Sequence, residues 1–139
     1  MTKIMKLRNL LLTAVAVTAI ALSTTSGGTA DDVMTRTADG TYVVNTTTLA
    51  PTVKGYAGAT PLKIHIKNDR VVKIEALPNR ETRSVFMRAE KALSGKWTGK
   101  QVGEASRQKV DAVSGATYSS NAIKENVKRG LAYYRKHKK

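Results

Sequence analysis

Asp111 to Ser120 read DAVSGATYSS, a run with one acid, one glycine and four aliphatic hydroxyls. Small residues crowd around a single threonine: Ser114, Gly115 and Ala116 precede Thr117. A hydroxyl in that setting stands clear of bulky neighbours, and Gly115 lets the backbone turn sharply and approach a ligand. A helical pattern begins just behind it. The free N–H groups and positive dipole end of a helix start suit a phosphate. Ser119 and Ser120 can cap that helix or bond phosphate oxygens. Asp111 would repel a phosphate and reads on its own as a turn residue bonding backbone N–H groups. The plain alternative is a loop that ends in an N-cap.

Little else in the chain offers chemistry. The absence of cysteine removes a lipoprotein anchor, disulfides, c-type haem attachment and thiolate metal sites. His65 falls on the polar side of a strand and His137 in a basic tail, so no metal site is expected. No nucleotide fingerprint and no catalytic triad are visible.

The elements that must position Thr117 follow from periodicity. Leu62, Ile64 and Ile66 alternate with Lys63, His65 and Lys67. A second alternating run holds Val72, Ile74 and Ala76, and Asn68-Asp69 between the two tolerate positive φ. This predicts a β-hairpin over about 61–77. Val85, Phe86, Ala89, Ala92 and Leu93 have helical spacing, which predicts a helix over about 82–93 stopped by Gly95. Phe86 and Met87 read as core or flank, and residues 96–110 as a connector in which Trp97 caps the core. The last helix is expected over about 119–134, with Ile123, Val127, Leu131 and Tyr134 as its apolar stripe. Residues 31–53 read as a mobile lead-in with one possible short strand, Thr41 to Asn45. The fold class is α+β, a small antiparallel sheet packed against two helices. The domain proper is expected over 54–135, with a basic tail at 136–139.

The first 30 residues have the layout of a secretory signal peptide. Lys3, Lys6 and Arg8 precede the uncharged run LLLTAVAVTAIAL, Leu10 to Leu22. As a helix that run spans roughly 20 Å, short of a bilayer core of about 30 Å. Gly28-Thr29-Ala30 supplies small residues for cleavage after Ala30, with a cut after Ser23 as the alternative. Export to the periplasm or the outer face of the cytoplasmic membrane is the expectation.

The chain of 139 residues carries 24 Lys+Arg against 10 Asp+Glu. Without the three cations of the leader, residues 31–139 keep 21 against 10, or +11. An exported chain seldom meets nucleic acid. Anionic lipid, an acidic partner or a phosphorylated ligand suits the charge better.

The run Asp111-Ala112-Val113-Ser114-Gly115-Ala116-Thr117 fits D-x-x-S-G-A-T. In this the sequence resembles the covalent FMN-binding domains, found in flavin-carrying subunits of ion-pumping quinone- and ferredoxin-linked oxidoreductases and in small exported flavoproteins. The likeness covers roughly Gly55 to Leu131. It includes GYAG ahead of the hairpin and Glu81-Thr82, after which this chain has Arg83-Ser84 where many relatives have Pro-Gly. The resemblance implies FMN joined to Thr117 by a phosphoester. It implies a Mg²⁺-dependent FAD:protein FMN transferase as partner, with Asp111 recognised by it. It also implies Ser114, Gly115, Ala116, Tyr118 and Ser119 as cofactor-binding neighbours, with Tyr56, Glu81, Thr82 and Trp97 as candidates near the flavin ring. A single tethered flavin without a second domain reads as an extracytoplasmic electron carrier serving a membrane or extracytoplasmic redox partner. The rival readings are a non-redox basic module that docks on anionic lipid or an acidic partner, and a small flavin reductase.

Overall fold

The hairpin is the centre of the molecule. A computed structural model describes residues 33–139; the expected signal peptide lies outside the described residues. Strand β3 (Leu62–Lys67) pairs antiparallel with β4 (Arg70–Ala76). Asn68 and Asp69 turn between them at φ 53° and 59°, the pair of positive values a type I′ turn requires. Leu62, Ile64 and Ile66 are fully buried while the residues between them are half-exposed, as the alternation predicts.

The second run departs from its predicted phase. Val72 is 45% exposed and Val71 is buried in its place. The register explains this: Ile66 pairs with Val71 but His65 pairs with Lys73. One extra residue, Val72, therefore sits on β4 as a bulge, and the strand changes face there.

Two further strands complete a four-stranded antiparallel sheet in the order β1-β2-β3-β4. Strand β2 (Tyr42–Asn45) matches the predicted short strand. Strand β1 (Met34–Arg36) corrects the reading of its segment as mobile lead-in, since it pairs with β2 through Met34 and Val44. Three residues without strong alternation give too little pattern to read as a strand.

Helix α1 (Arg83–Trp97) buries Phe86, Ala89, Leu93 and Trp97. It passes through Gly95, which sequence reading had taken as its stop, because Trp97 supplies the next core position four residues after Leu93. The chain leaves the helix at Gly99, whose φ is 87° and whose N–H donates to the Val71 carbonyl. Helix α2 (Val102–Arg107) lies within the predicted connector and buries Val102 and Ala105. A six-residue helix shows too few turns for its period to be legible.

Helix α3 (Thr117–His137) begins two residues before its predicted start and runs three beyond its predicted end. The expected stripe of Ile123, Val127, Leu131 and Tyr134 is buried. The last turn is basic, which complements the negative end of the helix dipole. What was read as a tail from residue 136 is thus helix as far as His137. Lys138 then pairs with Asp69 at 2.9 Å, and the Tyr42 hydroxyl donates to the Lys139 carbonyl at 2.9 Å. The Tyr134 hydroxyl, then Lys138, holds the Asp69 carboxyl below its ordinary range.

Helix α3 packs on β2 and β3, and α1 on β4 and α3, so the helices share one face of the sheet. The approach is closest at Gly130. A Cβ there would lie 2.5 Å from Ile64 Cδ1 and 3.1 Å from Thr46 Cγ2. A buried polar lock sits one turn earlier. The Thr46 hydroxyl donates to Asn126 Oδ1 at 2.6 Å and accepts the Leu62 N–H at 2.9 Å. Asn126 Nδ2 donates to the Ala122 carbonyl.

Two glycines separate close packing from open surface. Gly130→Ala should destabilise the domain by about 1–3 kcal/mol through overpacking. Gly95→Ala meets no atom within 4 Å and should stabilise α1 by about 0.5–1 kcal/mol. Urea midpoints of the two variants should move in opposite directions.

Candidate functional site

Between Val113 and Ala116 the chain makes one tight turn. The Ala116 N–H donates to the Val113 carbonyl at 2.9 Å, with Gly115 at φ 77° in the third position. This is the place of the positive-φ residue in a type II turn. The Ser120 hydroxyl accepts the Val113 N–H at 3.0 Å and fastens the turn to α3. Thr117 is the first residue of the helix and its side chain is exposed.

The helix start itself is left open. Its N-cap is Ala116, and no side chain caps it. The N–H groups of a first helical turn have no acceptor inside the helix, so they remain available at Thr117. No acid lies in that turn. From α1, Arg88 donates through Nη2 to the Ser114 carbonyl at 3.3 Å. An anion on Thr117 would meet free N–H groups, the positive end of a long helix and a nearby guanidinium.

Beside Thr117 is a cleft of about 230 Å³ lined by Tyr56, Thr82, Val85 and residues 115–119. Tyr56 and Tyr118 stand over it, 80% and 66% exposed. Their ring centroids are 6.1 Å apart, with the planes inclined at 56°. Larger depressions of about 320 and 450 Å³ lie elsewhere and contain none of the residues from Ser114 to Thr117.

Glu81 lies behind the tyrosine wall and is 8% exposed. Its Oε1 accepts the Tyr56 N–H at 2.7 Å and the Ser119 hydroxyl at 2.9 Å, and its Oε2 accepts the Ala57 N–H at 2.5 Å. Gly55 permits this approach, because a Cβ at that position would fall 1.8 Å from Glu81 Oε1.

The fold gathers most of the predicted site. Gly115, Ala116, Thr117, Tyr118, Ser119, Tyr56 and Thr82 line one cleft, Ser114 is on the turn that borders it, and Glu81 supports it from beneath. The Ser119 hydroxyl donates a hydrogen bond to Glu81 and the fully buried Ser120 hydroxyl accepts one from the Val113 N–H, so neither is presented to a phosphate. Trp97 is not brought to this cleft. It is 3% exposed and borders the separate depression with Ala105, Val127 and Leu131. Asp111 is exposed and has neither hydrogen bond nor ion pair among the described residues. Sequence reading missed Val85 as a cleft residue and Arg88 as a neighbour of the turn. Their spacing of three residues places them together on α1, a signal that was available once Phe86 and Ala89 were assigned inward.

These features define a small α+β domain that offers a ligand an aromatic cleft and an anion-receptive hydroxyl at the start of its last helix. Residues 55–132 match the family model of the FMN-binding domain, more than half of the chain, and the protein belongs to that family. It is a flavin-binding protein with FMN as its cofactor. No curated protein matches the chain.

The residues fit FMN. The aromatic cleft suits a planar ring system, and the uncapped helix start with Arg88 suits a phosphate. Ligand pockets that retain a free small molecule usually measure about 300–1,000 Å³. This cleft is smaller, so it encloses only part of such a ligand.

At Gly115 the turn requires a glycine. Gly115→Ala should destabilise the protein by about 1–2 kcal/mol, the cost of a left-handed residue with a Cβ. The added methyl would also lie 3.0 Å from the Arg88 guanidinium. Thermal unfolding of the unloaded protein would measure the loss.

Proposed function

We propose that the protein carries FMN through a phosphoester on Thr117 and serves, after export, as an extracytoplasmic electron carrier. The observation that carries this reading is the placing of Thr117: an exposed hydroxyl at an uncapped helix start, beside a cleft too small to retain a flavin by burial alone. A covalent bond supplies the retention that the cleft does not. FMN supplies one- and two-electron transfer chemistry when bound, and the protein places and tunes it.

In the attachment step the Thr117 hydroxyl gives its proton to a base of a Mg²⁺-dependent transferase. Its Oγ bonds to the FMN phosphorus of FAD, the pyrophosphate linkage breaks and AMP leaves. Residues 114–116 keep the approach open. Arg88 and the first-turn N–H groups offset the phosphate charge. Asp111 is left exposed and unpartnered on the approach to the turn, as a recognition contact for the transferase would be.

Export and partner choice rest on the sequence. The leader layout supports cleavage after Ala30, and the +11 charge of residues 31–139 supports docking on an acidic redox partner or an anionic membrane face. Among the described residues no helix is long and apolar enough to cross a membrane.

Intact-mass measurement after co-expression with a transferase tests attachment and processing together. The expected species begins at Asp31 and carries one FMN minus water, stable to denaturation. Thr117→Val should lose the flavin and keep the processing. Flavin retained on Thr117→Val would overturn the assignment, and an unprocessed Met1 would overturn the cleavage.

Electron transfer from the physiological donor should slow as salt rises, because screening acts over about 8 Å at physiological ionic strength. A rate independent of salt would remove the charge from the docking argument.

A further inference from the structure

Glu81 joins the two walls of the cleft, and its geometry points beyond structural support. We propose that Glu81 is the positioning residue that holds Tyr56 against the flavin. The proposal rests on Thr117 as the attachment site.

Three donors converge on this carboxylate from two distant parts of the chain. The N–H groups of Tyr56 and Ala57 belong to the loop before the hairpin, and the Ser119 hydroxyl belongs to the first turn of α3. Ser119 lies two residues from Thr117 and next to Tyr118. One side chain thus sets the spacing between the backbone that carries Tyr56 and the backbone that carries Thr117 and Tyr118. Hydrogen bonds to a carboxylate are about twice as strong as neutral ones, and burial at 8% exposure shields them from water.

Apart from Glu81, the loop meets α3 at its far end, where the buried Thr60 hydroxyl accepts from Asn126 Nδ2 at 3.5 Å. Its own ties are the Gly55 N–H to the Gly58 carbonyl at 2.8 Å and a single bridge between Lys54 and Ala59. Those bonds close the loop on itself and do not attach it to α3. The Tyr56 hydroxyl has no partner among the described residues, and the ring is 80% exposed. An aromatic side chain held outward by a buried carboxylate beneath its own amide is placed for a ligand rather than for the core. The close passage of Gly55 over Oε1 shows how tightly the loop is drawn onto Glu81.

A flavin held at Thr117 would then meet a tyrosine whose backbone is placed by Glu81. Tyrosine close to an isoalloxazine quenches its emission, so the position of Tyr56 is readable in loaded protein.

Two measurements test the proposal. In unloaded protein, Glu81→Ala should raise amide exchange at Tyr56 and Ala57 by about tenfold, as loss of their acceptor predicts. Glu81→Gln, which keeps one acceptor oxygen and the side-chain volume, should give a smaller rise and covers the case in which the alanine variant does not fold. In loaded protein, Tyr56→Leu and Glu81→Ala, or Glu81→Gln in its place, should each raise flavin emission, on the order of twofold for the larger changes, and the double variant should rise no further than Tyr56→Leu. Unchanged exchange in both Glu81 variants overturns the proposal, as do emission changes that combine fully in the double variant. Absence of flavin from the wild-type protein overturns the Thr117 reading and this one with it. Flavin present with independent effects overturns the role of Glu81 alone.

Discussion

Helix α3 is set on the sheet by one buried amide. Asn126 is 1% exposed and spends its oxygen on the Thr46 hydroxyl and its nitrogen on the Ala122 carbonyl. Thr46 in turn receives the N–H of Leu62 at the start of β3. A slide of the helix by one residue would leave these groups buried and unpaired, at about 1–3 kcal/mol for each. Gly130, one turn further along, allows the close contact with Ile64 that the lock requires. Thr117 is nine residues before Asn126, or about 13 Å along the axis. The lock in the core therefore decides where the hydroxyl at the surface stands.

The far end of the same helix is tied as well. Tyr134 and Lys138 both reach Asp69 in the hairpin turn, and burial, then Asp69, pushes the Tyr134 phenol above its ordinary range. Helix α3 is tied in its middle and at its C-terminus, and its N-terminus is held by the link to the Val113 turn, the bond from Ser119 to Glu81 and the burial of Ala116, Ala122 and Ile123. Chemical openness is confined to one side of the first turn, where Thr117 and Tyr118 are exposed while Ser119 and Ser120 are buried. Just past the last turn, Lys138 meets a carboxylate of its own chain, whereas the first turn contains no acid.

Much of this was legible before any coordinates. The alternation in β3 and the stripe of α3 are long enough to declare their period, and Gly115 of the S-G-A-T run marks the turn that precedes α3. Short elements were lost: β1 and α2 contain too few residues to repeat anything. The bulge at Val72 is a property of pairing with β3, and a single strand cannot display it. Gly95 misled because helix propensity favours a stop there, whereas the buried Trp97 favours continuation. Glu81 was found as a candidate but for a different role. Its partners are 24, 25 and 38 residues away, so nothing local could show that it serves the backbone of Tyr56 and the hydroxyl of Ser119. Trp97 was expected to cap the core and was also a candidate near the ring by resemblance; its burial fits the first reading.

The alanine at the start of α3 gives the molecule a history. A serine, threonine, aspartate or asparagine at that position would secure the first turn, and alanine forgoes about 0.5–2 kcal/mol by comparison. The unloaded chain bears that deficit, and in the proposed phosphoester the phosphate on Thr117 would offset it by accepting the idle N–H groups. On that proposal the unloaded and the loaded protein would differ in rigidity as well as in colour. Acquisition of the cofactor would then complete a helix turn that the polypeptide leaves without a side-chain cap.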